Sequence, residues 1–549
     1  MNPTAEQTHV VDLAKRGNDL KVIAFAGAGK TTTLKLVSHA LAPKRGLYLA
    51  FNKAIVQSLA GKLPPHVEAK TFHALAFRSH GAPISHKLQK RLTGAYVAER
   101  LGLHDLLVET ELREMRKIRA STIGYYVSEI TKALCRHPFP ELPADLAPLI
   151  DVAGITDAQK RDLRAKMTPL AHRLFDMMMN PQDDAPASHD AYAKAWVMSG
   201  AKLNYGFVLF DEGQDADQLQ LAMVGRQSCQ KIFVGDPNQS IYAFRGAVNA
   251  MAKVKAEEAY LTQSFRFGQE IADRAQIVLW ALGCNRKLLG TNKPSTVGPL
   301  AKADAELYRT NAACIGRLVQ LHREGQGDGV SATGTASALT KIKAIETLRM
   351  GRGGVGEFAL FRDYSELMEF VESGSGGDLK PMVELEKEYG ADELGKLLTR
   401  ASEVRSPRLT LSVAHQAKGL EWGSVKMGAD FRFPPTQEAI RRAEEEGRKP
   451  PREPNDEEHR LLYVALTRAE NRLDDRAVEY DGYLERIIDK TPPGWLKNAS
   501  PSEVARDIAA KVRPAAVEPA VRKVLSQLMT DDRAAIASKV AADHAVRLP

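Results

Sequence analysis

Short continuous apolar runs alternate with stretches of helical period along the first quarter of the chain. Lys21–Ala26 (KVIAFA) reads as a buried strand, and Thr31–Leu41 as a helix with Leu34, Val37 and Leu41 on one face. Gly46–Phe51 (GLYLAF) is a second strand signal, followed by a helix over Lys53–Lys62. This strand–helix rhythm predicts a parallel sheet covered by helices. From about Phe77 to Trp196 the pattern changes to long amphipathic stretches broken by proline-containing loops, which predicts an all-helical insertion. Strand signals return at Phe207–Phe210 (FVLF) and Lys231–Val234 (KIFV), so the first sheet is expected to be completed after the insertion. A second α/β region starts near Glu258. Its sheet resumes at Arg408–Val413 (RLTLSV), with a helix over Glu457–Ala469. Between Gly325 and Asp378 the pieces GQGDGVSATG, GRGGVG and ESGSGG read as loops or flexible connections. The polar run NRLDDRAVEYDGY gives no basis for an element past residue 470, and the last fifty residues read as Ala-rich helix. The expected fold is α/β, with two parallel-sheet cores, each interrupted by an insertion.

Composition narrows the class. With 549 residues, 44% hydrophobic and 26% charged, the chain is expected to be a soluble protein of three or four structural units rather than a disordered one. No run approaches the roughly 18 apolar residues of a membrane span, and the first twenty residues lack the pattern of a secretory signal. Cys135, Cys229, Cys284 and Cys314 lie far apart, which argues against a disulfide framework, a zinc ribbon or an iron–sulfur cluster. A reduced, cytoplasmic or nuclear protein is expected. The net charge of +8 suits a polyanionic partner without identifying one.

The chemistry is carried by motifs. Ala24–Thr31 (AFAGAGKT) follows a strand and opens a helix, as a phosphate-binding loop must. Gly27 and Gly29 let backbone N–H groups curl around phosphate oxygens, Lys30 neutralises the β/γ-phosphates, and Thr31 can ligate Mg²⁺. The FVLF strand ends in Asp211 and Glu212, 181 positions beyond Lys30. Such a pair holds the metal (Asp211) and orients or deprotonates water (Glu212). Arg266 in SFRF and Arg468 in TRAE are candidate cations for a γ-phosphate. Tyr242 and Phe244, two positions apart before Arg245, form a candidate base-stacking platform or a piece of core.

Taken together and in order, these residues resemble the superfamily 1A DNA helicases of the UvrD/Rep/PcrA type, and within them the F-box DNA helicase subgroup. The resemblance covers roughly residues 2–470. It runs through NPTAEQ, AFAGAGKT, YLAFNKAI, KTFHALAF, FDEGQD, GDPNQSIYAFRGA, LTQSFR, LYRTN, VAHQAKGLEW and EEHRLLYVALTRA. It implies two RecA-like cores of the P-loop type. Core 1A would comprise 1–76 and 197–257, with a helical insertion 1B at 77–196. Core 2A would comprise 258–325 and 405–490, with a reduced insertion 2B at 326–404, and 491–549 would be a helical extension. Implied for ATP are Gln7 on adenine, Phe265 stacking on it, and Ala26, Gly27, Ala28, Gly29, Lys30, Thr31 and Thr32 around the phosphates. Glu421 would contact the ribose, Gln239 would sense the γ-phosphate, and Arg266 and Arg468 would approach it from the second core. Thr31 and Asp211 would hold Mg²⁺. Implied for DNA are Phe51, Asn52, Thr71, Phe72, His73, Tyr242, Phe244, Arg245 and His415. The family's activity is ATP-driven movement on single-stranded DNA, conventionally 3′→5′, with unwinding at single/double-strand junctions. ATP lies between the two cores in that family. Two departures stand out. Asn311 of LYRTN lies only 104 positions before His415 of VAHQAKGLEW, so the second insertion is short, and Phe244 replaces the tryptophan of many relatives. A translocase that strips proteins from DNA, the motor subunit of a helicase–nuclease assembly, or a regulatory ATP-binding module are the rival expectations.

Overall fold

A computed structural model describes residues 2–490 apart from 91, 112, 144–145, 148–154, 244–245, 285, 356–357, 359–360, 362 and 373–378. The Ala-rich helix expected at the C-terminus, Phe244 and Arg245 lie outside the described residues. The chain divides into two compact units, one of residues 1–24, 30–261 and 336–398, the other of 25–29, 262–335 and 399–549.

The first unit is built on a six-stranded, all-parallel sheet. Its strand order is Val67–Thr71, Gly46–Ala50, Phe207–Phe210, Gln230–Gly235, Leu20–Ala24, Glu257–Leu261. The interior strands are nearly uninterrupted apolar runs because helices cover both faces of a parallel sheet. The strand carrying Tyr48 lies beside the one that ends at Asp211, and the Asp211 N–H continues the ladder to the Leu49 carbonyl at 3.1 Å. The long insertion is helical, with Ala120–Arg136 and Asp157–Met179 its longest helices. It departs from the all-helical expectation in an antiparallel hairpin, Leu106–Glu109 with Met115–Ile118, whose backbone groups pair across two strands rather than along a helix. One apolar cluster runs without a break from the sheet (Leu47, Leu49, Val208, Phe210) into the insertion (Ile123, Val127, Ile130, Leu174), so the two fold as one body.

The second unit has its own six-stranded parallel sheet, in the order Thr296–Val297, Ala469–Asp474, Trp422–Met427, Ala305–Tyr308, Leu409–Val413, Val330–Ala332. Two features differ from the sequence reading. Residues 469–474 form a strand despite their polarity, because their buried polar end is satisfied. The Asp474 carboxylate accepts from the Leu300 N–H and from Arg476. The glycine-rich pieces between 325 and 378 are separated by ordered helices, Thr335–Arg349 and Tyr364–Glu372. By packing, residues 336–398 group with the first unit. Arg116 of the hairpin there is ion-paired with Glu366.

Candidate functional site

In the first unit the sheet brings Lys30, Asp211 and Glu212 together beyond the carboxyl ends of Leu20–Ala24 and Phe207–Phe210, the two strands that flank Gln230–Gly235, where open α/β sheets bind ligands. The helix Lys30–Ala40 begins at the lysine itself. Lys30 Nζ donates to both Glu212 oxygens, at 2.6 and 2.7 Å. Burial alone lowers the pKa of this ammonium, but the Glu212 and Asp211 charges outweigh it and hold Lys30 above the usual lysine value. Asp211 is buried. Burial and the neighbouring Glu212 charge push it up to about 6, against the pull of Lys30 and a hydrogen bond from Tyr48.

Glu212 has φ of 52°, the left-handed region that a non-glycine residue rarely occupies. It is held there by its neighbours. Gln214, fully buried, donates from Nε2 to Glu212 Oε2 at 2.6 Å and accepts the Asp236 N–H on Oε1 at 3.0 Å. A side chain on Gly235 would collide with that Gln214 oxygen, so glycine is required for the close approach. Gln239 donates to Asp236 Oδ2 at 2.9 Å. A polar chain thus joins Lys30, Glu212, Gln214, Asp236 and Gln239. Sequence reading found its two ends and its first carboxylate but missed Gln214 and Tyr48. The signal for Gln214 stood in FDEGQD. Tyr48 looked like strand filling.

Thr31 and Thr32 are exposed at the start of the helix. Thr31 and Asp211 are hard oxygen donors. Mg²⁺ is commonly held by one or two such groups together with substrate phosphates, so these residues fit it. Among the described residues no cluster of three or more His, Cys, Asp or Glu would hold a metal without a substrate. Gln7 uses both ends of its amide. Oε1 accepts from the Thr4 N–H in a capping box, and Nε2 donates to Thr33 Oγ1 at 3.2 Å.

Of the residues expected to meet DNA, Phe51 is exposed and lies parallel to Tyr242, ring centroids 6.3 Å apart. Asn52 and Thr71 cap the helices that follow them, on the Ile55 and Ala74 N–H groups. Phe72, expected at the DNA surface, is instead buried with its ring edge against Trp196. The following residue reaches outward: His73 Nε2 lies 3.0 Å from Asp190 Oδ1, and Arg136 contacts the other Asp190 oxygen at 3.3 Å.

In the second unit, Gly27 and Gly29 have φ of 72° and 73°, which only glycine adopts at low cost. Gly27 O accepts the Phe265 N–H at 2.8 Å, and a Cβ on Gly27 would strike Ser264 and Arg266. The Ala26 N–H donates to Tyr463 Oη at 3.1 Å, a contact missed because Tyr463 stands in an apolar helical run. Arg266 donates to Glu421 at 2.6 Å and to the Thr467 carbonyl at 3.0 Å. Arg468 is only 2% exposed. Its guanidinium serves the Val464 and Leu420 carbonyls and the Thr467 hydroxyl. His415 is half-buried in the short helix Ala414–Ala417.

Fold and site define a protein of two parallel-sheet α/β units, in which a lysine at a helix start meets a pair of carboxylates at a strand end. Comparison with known proteins sharpens that class. The UvrD/REP helicase N-terminal domain matches residues 160–259, and the UvrD-like helicase C-terminal domain matches 361–474. Two segments of the chain thus match the UvrD-like helicase domains, with Asp211, Glu212 and Gln239 in the first match and His415, Glu421 and Arg468 in the second. It is similar to F-box DNA helicase protein 1 of Schizosaccharomyces pombe, 28% identical over 526 residues, covering 86% of this chain and 57% of the relative. It is 27% identical over 505 residues to F-box DNA helicase 1 of Gallus gallus, covering 85% and 48%. More distantly, it is similar to ATP-dependent DNA helicase UvrD2 of Mycobacterium tuberculosis, 27% identical over 380 residues, covering 63% and 49%. The chain spans about half the length of these relatives. No helix among the described residues is long and apolar enough to cross a membrane.

Proposed function

We propose that this chain is an ATP-dependent DNA helicase that hydrolyses ATP, advances on single-stranded DNA and opens duplexes. The observation that carries the reading is the Lys30–Glu212 pair. A lysine at the mouth of a glycine loop and the carboxylate suited to handling water hold each other at 2.6–2.7 Å. The matched UvrD-like domains support the same reading.

The chemistry follows from partner exchange. An incoming triphosphate offers Lys30 a more highly charged partner than one carboxylate, so Lys30 turns to the β/γ-phosphates. Glu212 is released with its Gln214 hydrogen bond intact, free to orient and deprotonate the attacking water. Thr31 and Asp211 would hold Mg²⁺, which neutralises charge on the phosphate oxygens when bound. Gln239, now bonded to Asp236, reports the γ-phosphate, and the polar chain through Gln214 carries the change toward Tyr242. Arg266 and Arg468 supply further positive charge from the second core, exchanging Glu421 and the Thr467, Val464 and Leu420 carbonyls for phosphate. Glu421, Phe265 and Gln7 bind ribose and adenine, with Gln7 giving up Thr33. Phe51 and Tyr242 stack on bases, and Asn52, Thr71, His73 and His415 contact the strand, with movement 3′→5′ from a single/double-strand junction.

The test is ATP hydrolysis with and without single-stranded DNA, alongside strand displacement on 3′-tailed and 5′-tailed duplexes. Strong stimulation and displacement of the 3′-tailed substrate are expected. Hydrolysis indifferent to DNA would sink the motor reading. Stimulated hydrolysis without displacement would instead identify a translocase, an outcome the short second insertion makes worth measuring.

A further inference from the structure

We infer that Tyr48 is a positioning residue that orients Asp211, the carboxylate offered to magnesium. The inference rests on the nucleotide reading above. Tyr48 stands at the centre of Gly46–Ala50, opposite Leu209 of the neighbouring strand. Alternation sends Leu47 and Leu49 into the apolar cluster and Tyr48 to the other face of the sheet, where it is fully buried.

A buried phenol needs hydrogen-bond partners. Tyr48 has one in a candidate ligand. Its O–H donates to Asp211 Oδ2 at 2.7 Å. The Glu212 N–H meanwhile donates to Asp211 Oδ1 at 3.0 Å. The carboxylate therefore cannot turn without breaking two bonds. Mg²⁺ tolerates little departure from octahedral geometry, so fixing a ligand in advance matters more for it than for a larger ion. An aliphatic residue at position 48 would fill the same space and leave Asp211 Oδ2 unheld.

Removing one oxygen isolates the effect. The chain and its Tyr48→Phe variant are compared by equilibrium binding of a fluorescent ADP analogue during Mg²⁺ titration, by the same binding in excess EDTA, and by the melting temperature without ligand. In Tyr48→Phe the half-saturating Mg²⁺ concentration should rise about ten-fold, the scale of one lost hydrogen bond to a charged group, with binding in EDTA unchanged. An unchanged Mg²⁺ requirement overturns the inference and leaves the nucleotide reading standing. Equal losses in EDTA binding and melting temperature, with no separate Mg²⁺ effect, also overturn it and make Tyr48 a packing residue. If the unmodified chain does not bind the analogue at all, the inference and the nucleotide reading fall together, whereas binding with no dependence on Mg²⁺ overturns the inference alone.

Discussion

Lysines withdrawn from solvent in the first unit are used in opposite ways. At the carboxyl edge of the sheet, Lys30 faces Glu212 and Asp211, and their charges keep its proton firmly bound. In the insertion, Lys194 is buried, but it donates to the His137 carbonyl at 2.6 Å and to the Phe139 carbonyl, just past the helix Ala120–Arg136. Lys87 likewise serves the Met177 and Asn180 carbonyls at the end of Asp157–Met179. A lysine on backbone carbonyls is part of the fold, because it supplies a donor where a helix ends and its own N–H groups run out. A lysine on a side-chain carboxylate can change partners. Aromatic residues divide along the same line, with Phe51 open beside Tyr242 and Phe72 locked against Trp196.

The contrast is broken most severely at Lys30. Lys30→Ala and Glu212→Gln should each lower ATP turnover by about 10³-fold or more, with nucleotide binding better retained in Glu212→Gln. Near-normal turnover in either variant, measured with saturating DNA, would remove the site. Next in size is Phe72→Ala, which should cost about 3–5 kcal/mol of stability by denaturant unfolding, as a buried aromatic does. If the variant stayed as stable as the parent and lost only DNA affinity, the division between the two aromatics would be wrong.

Lys194→Met should cost about 1–3 kcal/mol by removing the donor that two carbonyls share, while turnover per folded molecule is unchanged. This site also has a pH signature. Burial lowers the Lys194 pKa to about 8. Between that value and the ordinary lysine range the unfolded chain binds the extra proton, so this contribution to stability grows as pH rises from about 8 to 10.5 and is lost as pH falls through 8. Melting curves should show the gap between parent and Lys194→Met widening from pH 8 to 10, and parallel curves would contradict the assignment. Smallest is Phe51→Ala, expected to weaken single-strand binding by about one decade at fixed salt without changing the melting temperature. Equal losses of stability in Phe51→Ala and Phe72→Ala would erase the comparison.

What the sequence determined by itself is local and periodic. KVIAFA, GLYLAF, FVLF, KIFV and RLTLSV announce their strands because interior strands of a parallel sheet are apolar on both faces. AFAGAGKT announces its loop because two of its residues need positive φ. The pairing of Asp211 with Glu212 at a strand end was equally readable. Tertiary structure decided the partners of the buried polar groups, which depend on strand register and helix packing rather than on neighbours in the chain. Tyr48 meets Asp211 across 163 positions, and only the pairing of their strands brings them within 2.7 Å. The same holds for Lys194 against its helix end, for Arg468 turned onto carbonyls, and for Phe72 turned inward while His73 faces out. The strand at 469–474 was hidden for a related reason. Its polar residues are stabilised by a donor in another segment, the Leu300 N–H, which no pattern in NRLDDRAVEYDGY encodes.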